Sequence, residues 1–170
     1  MLILQHPRER RKAIGTARMA HLGLPNSELH CGIEFEYHER VRALVAGAVL
    51  LFPGPGTVPP AALRHDTPPV LVVLDGTWSQ ARALYWSNPF LHALPRVGFV
   101  PPRPSEYLIR REPAPHCVST IEAVAYALGE IEGEAFRFAP LLEPFRQMVA
   151  WQCRYDERAR AEAVGASGSR

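Results

Sequence analysis

The fold of this chain is decided by residues 70–85, which read VLVVLDGTWSQARALY. Residues 70–74 are a short apolar run rich in valine, which is typical of a parallel strand buried on both faces. The segment that follows has helical spacing, and Thr77 with Gln80 forms a capping-box pattern at its start. Asp75 is therefore predicted in a tight turn at the carboxyl end of a central strand, the edge at which open α/β sheets bind ligands.

Asp75 has two interpretations. The structural one is that its carboxylate caps the following helix, because aspartate is among the best N-cap residues. The functional one is that the carboxylate takes part in chemistry, and we favour it because Thr77 already supplies the cap. Trp78 has the same ambiguity, since it fits either a core position or a ring that stacks on a base beside the ligand edge.

The composition describes an ordinary globular protein. A chain of 170 residues, 47% hydrophobic and 21% charged, predicts one domain with one core. No apolar run reaches the ~20 residues of a membrane span, and the N-terminus lacks the order of a secretion signal, so we expect a cytoplasmic protein without a membrane partner. The 3 cysteines and 7 histidines show no metal-ligand spacing, so no metal is predicted.

Strand-like and helix-like segments alternate along the rest of the chain. Further strands are predicted over 2–5, 29–33, 48–52 and 96–100, and further helices over 38–46, 119–131 and 140–152. This alternation predicts a single α/β domain over residues 1–153, with a mostly parallel sheet flanked by helices. Residues 154–170 are predicted to form a frayed tail.

Two loops have the composition of ligand-binding segments. The strand 48–52 ends in a proline and glycine loop, in which Gly54 allows a close backbone approach to a ligand. An ordinary surface loop is the alternative, because residues 53–69 are rich in proline. Ser119 and Glu122 form a second capping-box pattern, and backbone amides at that helix start would be available to an anionic ligand.

The charge distribution is more informative than the net charge of +2. Local basic patches contact phosphate even when the net charge is small, although a solvated surface is the alternative explanation. Basic residues concentrate in two places: Arg8, Arg10, Arg11 and Lys12 near the start, and Arg103, Arg110 and Arg111 around Tyr107.

Several motifs in this chain occur together in one known family. Asp75-Gly76-Thr77-Trp78 has the form D-x-T-W, and Val118-Ser119-Thr120-Ile121-Glu122-Ala123 is similar to the L-S-T-x-E-A segment that accompanies it. The segments Leu4-Gln5-His6-Pro7-Arg8-Glu9 and Phe52-Pro53-Gly54 and the pair Tyr107-x-x-Arg110 also match. Over about residues 2–150, the chain therefore resembles the DTW-domain family and, with it, bacterial tRNA-uridine aminocarboxypropyltransferases.

The resemblance implies a fold, a cofactor and a reaction. The fold would be related to the SPOUT methyltransferases, with a C-terminal trefoil knot and S-adenosylmethionine bound by loops near it. The reaction would transfer the 3-amino-3-carboxypropyl group to N3 of a tRNA uridine and release 5′-methylthioadenosine. Carried over by position, the cofactor pocket would comprise Phe52, Pro53, Gly54, Leu74, Gly76, Thr77, Trp78, Val118, Ser119 and Thr120.

The same resemblance assigns roles to individual residues. Uridine N3 is a poor nucleophile until its proton leaves, so the reaction needs a general base, and Asp75 is the predicted one. A carboxylate would also favour a nearby sulfonium. Arg110, or backbone amides near Ser119, would hold the amino-acid carboxylate. The predicted RNA contacts are Arg8, Arg10, Arg11, Lys12, Arg18, Tyr107 and Arg110.

Two other functions stay open at this point. One is a SPOUT-type RNA methyltransferase that uses the same cofactor, and the other is a non-catalytic RNA-binding adaptor, against which the intact Asp75 and both capping boxes argue. Many relatives carry a cysteine cluster before the first strand, whereas this sequence begins at that strand. Either the protein lacks the cluster or its start is truncated, and no zinc is predicted. The target uridine, the choice between tRNA and rRNA, and the choice between monomer and homodimer are also left open.

Overall fold

The computed structural model describes residues 1–12, 14–66, 68–109, 117–134 and 136–167, with side chains described as far as residue 157. All strand pairs in these ranges are parallel, and they build one sheet in the order β2-β1-β4-β3-β5. The strands are β1 (Leu2–Gln5), β2 (Glu28–Cys31), β3 (Val49–Leu51), β4 (Leu71–Asp75) and β5 (Arg96–Val97).

Helices cover the connections between the strands. Short 3₁₀ turns occur at Pro60–Leu63 and Pro89–Ala93. The α-helices of the described ranges are α1 (Pro7–Arg10), α2 (Thr16–Gly23), α3 (Glu39–Leu44), α4 (Trp78–Trp86), α5 (Thr120–Glu132) and α6 (Ala139–Ser167). The prediction of a single α/β domain with a parallel sheet is therefore confirmed.

The core lies on both faces of the sheet. Alternate side chains of a strand point to opposite faces, so Leu4 and Leu74 pack with α3 and α4, whereas Ile3 packs with α2, α5 and α6. Val73 faces α5 on that second side. Because both faces are covered, the central strand β4 is buried along its whole length, which explains its continuous apolar sequence.

The connections of two neighbouring strands run to opposite faces of the sheet. The chain leaves β1 toward α2 on one face of the sheet, and it leaves β4 toward α4 on the other face. β1 and β4 are hydrogen-bonded neighbours, with Gln5 aligned to Asp75 at their carboxyl ends. In open α/β sheets, such a reversal of direction opens a crevice in which ligands bind.

Several element boundaries differ from the sequence-based prediction, and three of the differences are instructive. Asp75 is the last residue of β4 and not a turn residue. β5 has 2 residues because the chain leaves the sheet at Gly98 ahead of Pro101, and proline cannot donate a ladder hydrogen bond. α6 continues past the predicted end at 152 to Ser167, so the segment predicted as a tail begins as helix; its Arg, Glu and Ala residues are strong helix formers. The implied trefoil knot stays a prediction.

Candidate active site

A cleft of about 750 Å³ opens at the carboxyl ends of β3 and β4, between the starts of α4 and α5. Its volume lies within the range of about 300–1,000 Å³ that is usual for small-molecule sites. Of the ten residues predicted to bind the cofactor, nine line this cleft: Phe52, Pro53, Leu74, Gly76, Thr77, Trp78, Val118, Ser119 and Thr120. Three segments that are far apart in sequence are thus brought together.

Gly54 is the predicted pocket residue that lies outside the lining. It sits beside Arg96, because a Cβ atom on Gly54 would lie 3.1 Å from Arg96 Nη1. Arg96 in turn donates a 2.6 Å hydrogen bond to the carbonyl of Pro55. Gly54 therefore shapes the loop behind the pocket wall.

The segment 98–101, which the sequence analysis did not include in the site, also lines the cleft. A Cβ atom on Gly98 would lie 3.3 Å from Pro53 Cα, so glycine is needed where these two loops approach each other. The available signal was positional, since 98–101 follows β5 as Pro53 follows β3. Other lining residues that were missed are Thr16, Leu51, Val73, Ser79, Ala81 and Ala123.

Asp75 joins three elements at the inner side of the cleft. Its side chain is only 5% exposed. Gln5 Nε2 donates to Asp75 Oδ2 at 2.9 Å, and Thr120 Oγ1 donates to Oδ1 at 2.6 Å. These bonds connect the ends of β1 and β4 to the first residue of α5. Thr120 lines the cleft, so the carboxylate lies next to the space where a ligand would bind.

The capping role is filled by Thr77, as the sequence predicts. Thr77 Oγ1 accepts from the backbone N–H of Gln80 at 3.3 Å, and Gln80 Oε1 accepts from the N–H of Thr77 at 2.7 Å. This capping box satisfies the start of α4 without the side chain of Asp75.

Gln5 was missed as a site residue by the sequence analysis. It is the last residue of β1 and is buried, which is unusual for a side chain with both a donor and an acceptor. Its register position opposite Asp75 explains its burial. The sequence signal was a polar residue at the end of an apolar strand, but the pairing of β1 with β4 could not be read from that residue alone.

Trp78 is fixed at the cleft wall by a long-range contact. Its indole Nε1 donates to Cys117 Sγ at 3.0 Å, and its ring lies 6.4 Å from that of Phe52. The thiol of Cys117 is buried, as is usual for a structural cysteine. The ring of Trp78 remains 37% exposed and forms part of the cleft lining.

Glu122 organises the opposite wall. Its fully buried carboxyl group accepts from Ser119 N at 2.8 Å and from Ser119 Oγ at 2.6 Å. It also accepts from Ser105 Oγ and from the backbone N–H of Glu106, both at 2.7 Å. The bidentate contact from Arg146, at 2.6 and 3.0 Å, holds the pKa of the Glu106 carboxyl below its usual range. The loop before residue 110 is thereby fastened to both α5 and α6.

Comparison with known proteins connects this geometry to a family. The family model described as "DTW domain" matches residues 1–153. The chain belongs to the DTW domain family. This match confirms the resemblance that was inferred from the D-x-T-W and S-T-x-E-A motifs.

Relatives of this DTW domain carry informative names. The chain is 34% identical over 160 residues to "tRNA-uridine aminocarboxypropyltransferase 2" of Drosophila melanogaster, covering 89% of this chain and 64% of that protein. It is 26% identical over 169 residues to the protein of the same name in Macaca fascicularis, covering 94% and 57%. The chain therefore spans less than two thirds of the length of these relatives.

A solved structure has the same fold as this DTW domain. The protein is the "SAM-dependent rRNA:acp-transferase Tsr3 from Vulcanisaeta distributa". The similarity has a TM-score of 0.53 and covers 95% of this chain and 83% of that chain at 22% sequence identity. At 22% identity, this similarity is evidence for a shared fold only.

The basic residues near the start of the DTW domain follow His6, which lies close to the edge of the cleft at Gly76. Arg8, Arg10 and Arg11 are exposed on and after α1, which follows β1 directly. Its N-cap residue His6 approaches the D-x-T-W turn, since a Cβ atom on Gly76 would lie 3.5 Å from His6 Cβ.

The other basic residues in this group differ in their surroundings. Lys12 pairs with the buried Glu9 at 2.7 Å, so part of its charge is already matched. Arg18 is exposed on α2.

Two predicted RNA contacts need comment. Tyr107 is only 7% exposed, and its ring packs 5.5 Å from Phe145 in the core. We correct the prediction for Tyr107, because a side chain buried between the loop and α6 has little surface left for RNA. Arg110 lies outside the described residues, so its RNA contact and its role at the amino-acid carboxylate stay predictions.

The described part of the chain offers neither a metal site nor a membrane-spanning helix. It holds no group of three His, Cys, Asp or Glu side chains arranged to bind a metal ion. In the same ranges, no helix combines the length and the apolar character needed to cross a lipid bilayer.

Proposed function

We propose that this DTW domain transfers the 3-amino-3-carboxypropyl group of S-adenosylmethionine to N3 of a uridine in tRNA and releases 5′-methylthioadenosine. The family and the names of the relatives support this activity. The observation that carries it is the cleft, which brings the D-x-T-W turn and the S-T-x-E-A helix start together around Asp75.

The shape and chemistry of the cleft fit S-adenosylmethionine. Aromatic and aliphatic side chains such as Phe52, Leu74 and Phe99 line most of it and suit the adenine ring. Ser119 and Thr120 open α5, where the helix dipole and the N–H groups of the first turn favour an anion, although Ser119 N itself donates to Glu122. We propose that these amides, or Arg110, hold the amino-acid carboxylate and so orient the transferred chain.

Asp75 is the proposed general base. S-adenosylmethionine supplies an electrophilic carbon, Cγ, whose bond to the sulfonium sulfur breaks as the bond to uridine N3 forms. Asp75 takes the N3 proton, which leaves a lone pair on N3 for the attack. Gln5 and Thr120 each donate to one carboxylate oxygen, so they hold the Asp75 side chain in one orientation next to the cleft-lining Thr120.

The exposed arginines near the start of the chain support a phosphate-binding role. We propose that Arg8, Arg10, Arg11 and Arg18 contact tRNA phosphates, and that Lys12 contributes less because of its pair with Glu9. The affinity for tRNA should therefore fall steeply with rising salt. We also propose that the reaction takes place in the cytoplasm.

Analysis of the small-molecule product tests this function. The purified chain is incubated with S-adenosylmethionine and unmodified bulk tRNA, and the nucleoside products are separated by chromatography. 5′-Methylthioadenosine is the expected product. S-adenosylhomocysteine would instead indicate a methyltransferase. Cofactor binding without turnover would mean a different RNA substrate, and neither binding nor turnover would favour an adaptor.

A further inference from the structure

The outer face of α4 carries a row of exposed aromatic and cationic side chains. Trp78, Arg82 and Trp86 are spaced four residues apart and therefore share one face of the helix. Trp78 lines the cleft, and all three side chains reach solvent. Trp86 is two turns further along, about 12 Å from Trp78. The row therefore leads from the cleft mouth out along the surface.

Trp86 is held in place although it is 68% exposed. Its ring makes edge-type contacts with Tyr85 at 5.2 Å and with His92 at 5.1 Å. Tyr85 in turn stacks on Phe52 at 4.9 Å with an angle of 12° between the rings, and Phe52 lines the cleft. An exposed indole that is already positioned loses little conformational freedom when it binds a ligand.

The charge of this row suits a polyanion such as RNA. Arg82 gives α4 one positive charge, and none of its residues is acidic. Within the described residues, Arg82 makes no ion pair, so its guanidinium is available to a ligand.

The chemistry of the proposed reaction indicates what lies on this face. N3 is on the Watson–Crick edge of uracil, so a uridine must be unpaired before N3 can react. Its neighbours are then nucleotides of a loop or of an opened strand, and single-stranded bases are recognised by stacking on aromatic side chains. A surface for such neighbours should be aromatic, cationic and continuous with the cleft, as the face of α4 is.

We propose that Trp86 stacks on an unpaired base flanking the target uridine and that Arg82 contacts the adjoining phosphate. This surface rests on the proposed function, because it extends the same cleft toward its RNA substrate. It is separate from the N-terminal basic residues, which would contact the backbone of the folded tRNA. Trp86 and Arg82 therefore bind RNA without contacting the cofactor.

Paired substitutions test this surface in the full-length chain. Trp86→Ala is compared with Trp151→Ala, which removes a tryptophan that is 73% exposed on α6, across the sheet from α4. Binding of unmodified bulk tRNA and of a short single-stranded oligouridine is measured by fluorescence anisotropy, and binding of S-adenosylmethionine by calorimetry. Trp86→Phe keeps an aromatic ring, and Arg82→Ala is matched by Arg154→Ala on α6.

The expected pattern is specific to α4. Trp86→Ala lowers the affinity for both RNAs about tenfold or more. Trp86→Phe keeps most of the affinity, and Trp151→Ala leaves it unchanged. Arg82→Ala lowers the salt slope of tRNA binding by about one, and Arg154→Ala leaves it unchanged. All variants bind S-adenosylmethionine like the wild type.

Three results would overturn the proposal. Equal RNA affinity of the Trp86→Ala and Trp151→Ala proteins would remove Trp86 from the RNA surface, and so would a wild-type chain that binds neither RNA. A change of oligomeric state in Trp86→Ala at unchanged RNA affinity would make this face a protein interface. If the chain releases S-adenosylhomocysteine and still needs Trp86 to bind RNA, the RNA surface on α4 is supported, whereas the proposed transfer of the aminocarboxypropyl group is contradicted.

Discussion

The two helix starts that flank the cleft have the same sequence pattern and different surroundings. At α4, Thr77 and Gln80 satisfy each other through one reciprocal pair of hydrogen bonds. At α5, Glu122 receives the N–H and the hydroxyl of Ser119, and it also receives two donors from the loop at 105–106. One capping box is local, and the other connects segments that are far apart in sequence.

This difference separates the tasks of the two walls. The start of α5 is fixed by a buried carboxyl group, and its first residue, Thr120, orients Asp75. The start of α4 has fewer long-range ties and presents Trp78 to the cleft and to solvent. We infer that the wall at α5 positions the reacting groups, whereas the wall at α4 receives the substrates.

The largest effect is expected for the carboxylate that α5 positions. Asp75→Asn should lower transfer by about 10²- to 10⁴-fold, because the amide cannot accept the N3 proton. The protein should stay folded, because asparagine has nearly the same shape and still offers one oxygen acceptor. Kinetics with tRNA and a melting curve measure both effects, and Asp66→Asn at an exposed position is the control. Retained activity would exclude Asp75 as the base.

The next largest effect should come from the buried capping box. Glu122→Ala leaves Ser105, Glu106 and Ser119 without their shared acceptor, and we expect it to lower the free energy of unfolding by about 3–5 kcal/mol. Urea unfolding followed by circular dichroism gives this value. A loss below about 1 kcal/mol would mean that water replaces the carboxyl group and that the two boxes are equivalent.

The local capping box should matter less. Thr77→Ala removes the side-chain acceptor for Gln80 N, which costs about 1 kcal/mol at a typical helix start. The same urea experiment compares this variant with Thr77→Ser, which keeps the hydroxyl and should unfold like the wild type. If Thr77→Ala were as destabilising as Glu122→Ala, the contrast between the two helix starts would be wrong.

The smallest effect concerns the loop that Glu122 holds. The pKa of Glu106 is lowered mainly by its hydrogen bonds from Arg146. The pair therefore stabilises the fold fully at a pH above the ordinary glutamate pKa of 4.5. This stabilisation is lost as the pH falls through the lowered pKa. Glu106→Gln should therefore cost about 1 kcal/mol or less at neutral pH and nothing in strong acid. Urea unfolding measured from strong acid to neutral pH gives this cost, with Glu143→Gln as the exposed control. A cost that does not change with pH would exclude the ion pair as its source.

Local sequence patterns were enough to predict the fold and much of the cleft. The apolar run before Asp75, the box at Thr77 and the box at Ser119 each depend on neighbours within a few residues, so they could be read directly. Parallel strands bring their carboxyl ends to one edge, which is why the loops at 53 and 76 were expected to lie near each other. That the segment at 119 joins them was implied by the resemblance to the DTW-domain family.

The features that escaped prediction depend on non-local contacts. Gln5 becomes a site residue only through the register of β1 with β4, and Glu122 gains its second task only because the loop at 105–106 folds back onto α5. The resemblance placed Tyr107 among the RNA contacts, whereas its ring packs on Phe145. Neither burial nor pairing of these residues is encoded by local spacing.

The most direct test of the account follows labelled carbon from S-adenosylmethionine into tRNA. Two samples are prepared, one with carbon-13 in the aminocarboxypropyl chain and one with carbon-13 in the S-methyl group, and the tRNA nucleosides are analysed by mass spectrometry after digestion. We predict that the chain label appears on a uridine and that the methyl label stays in 5′-methylthioadenosine. Methyl label on the RNA, with none from the chain, would contradict the account.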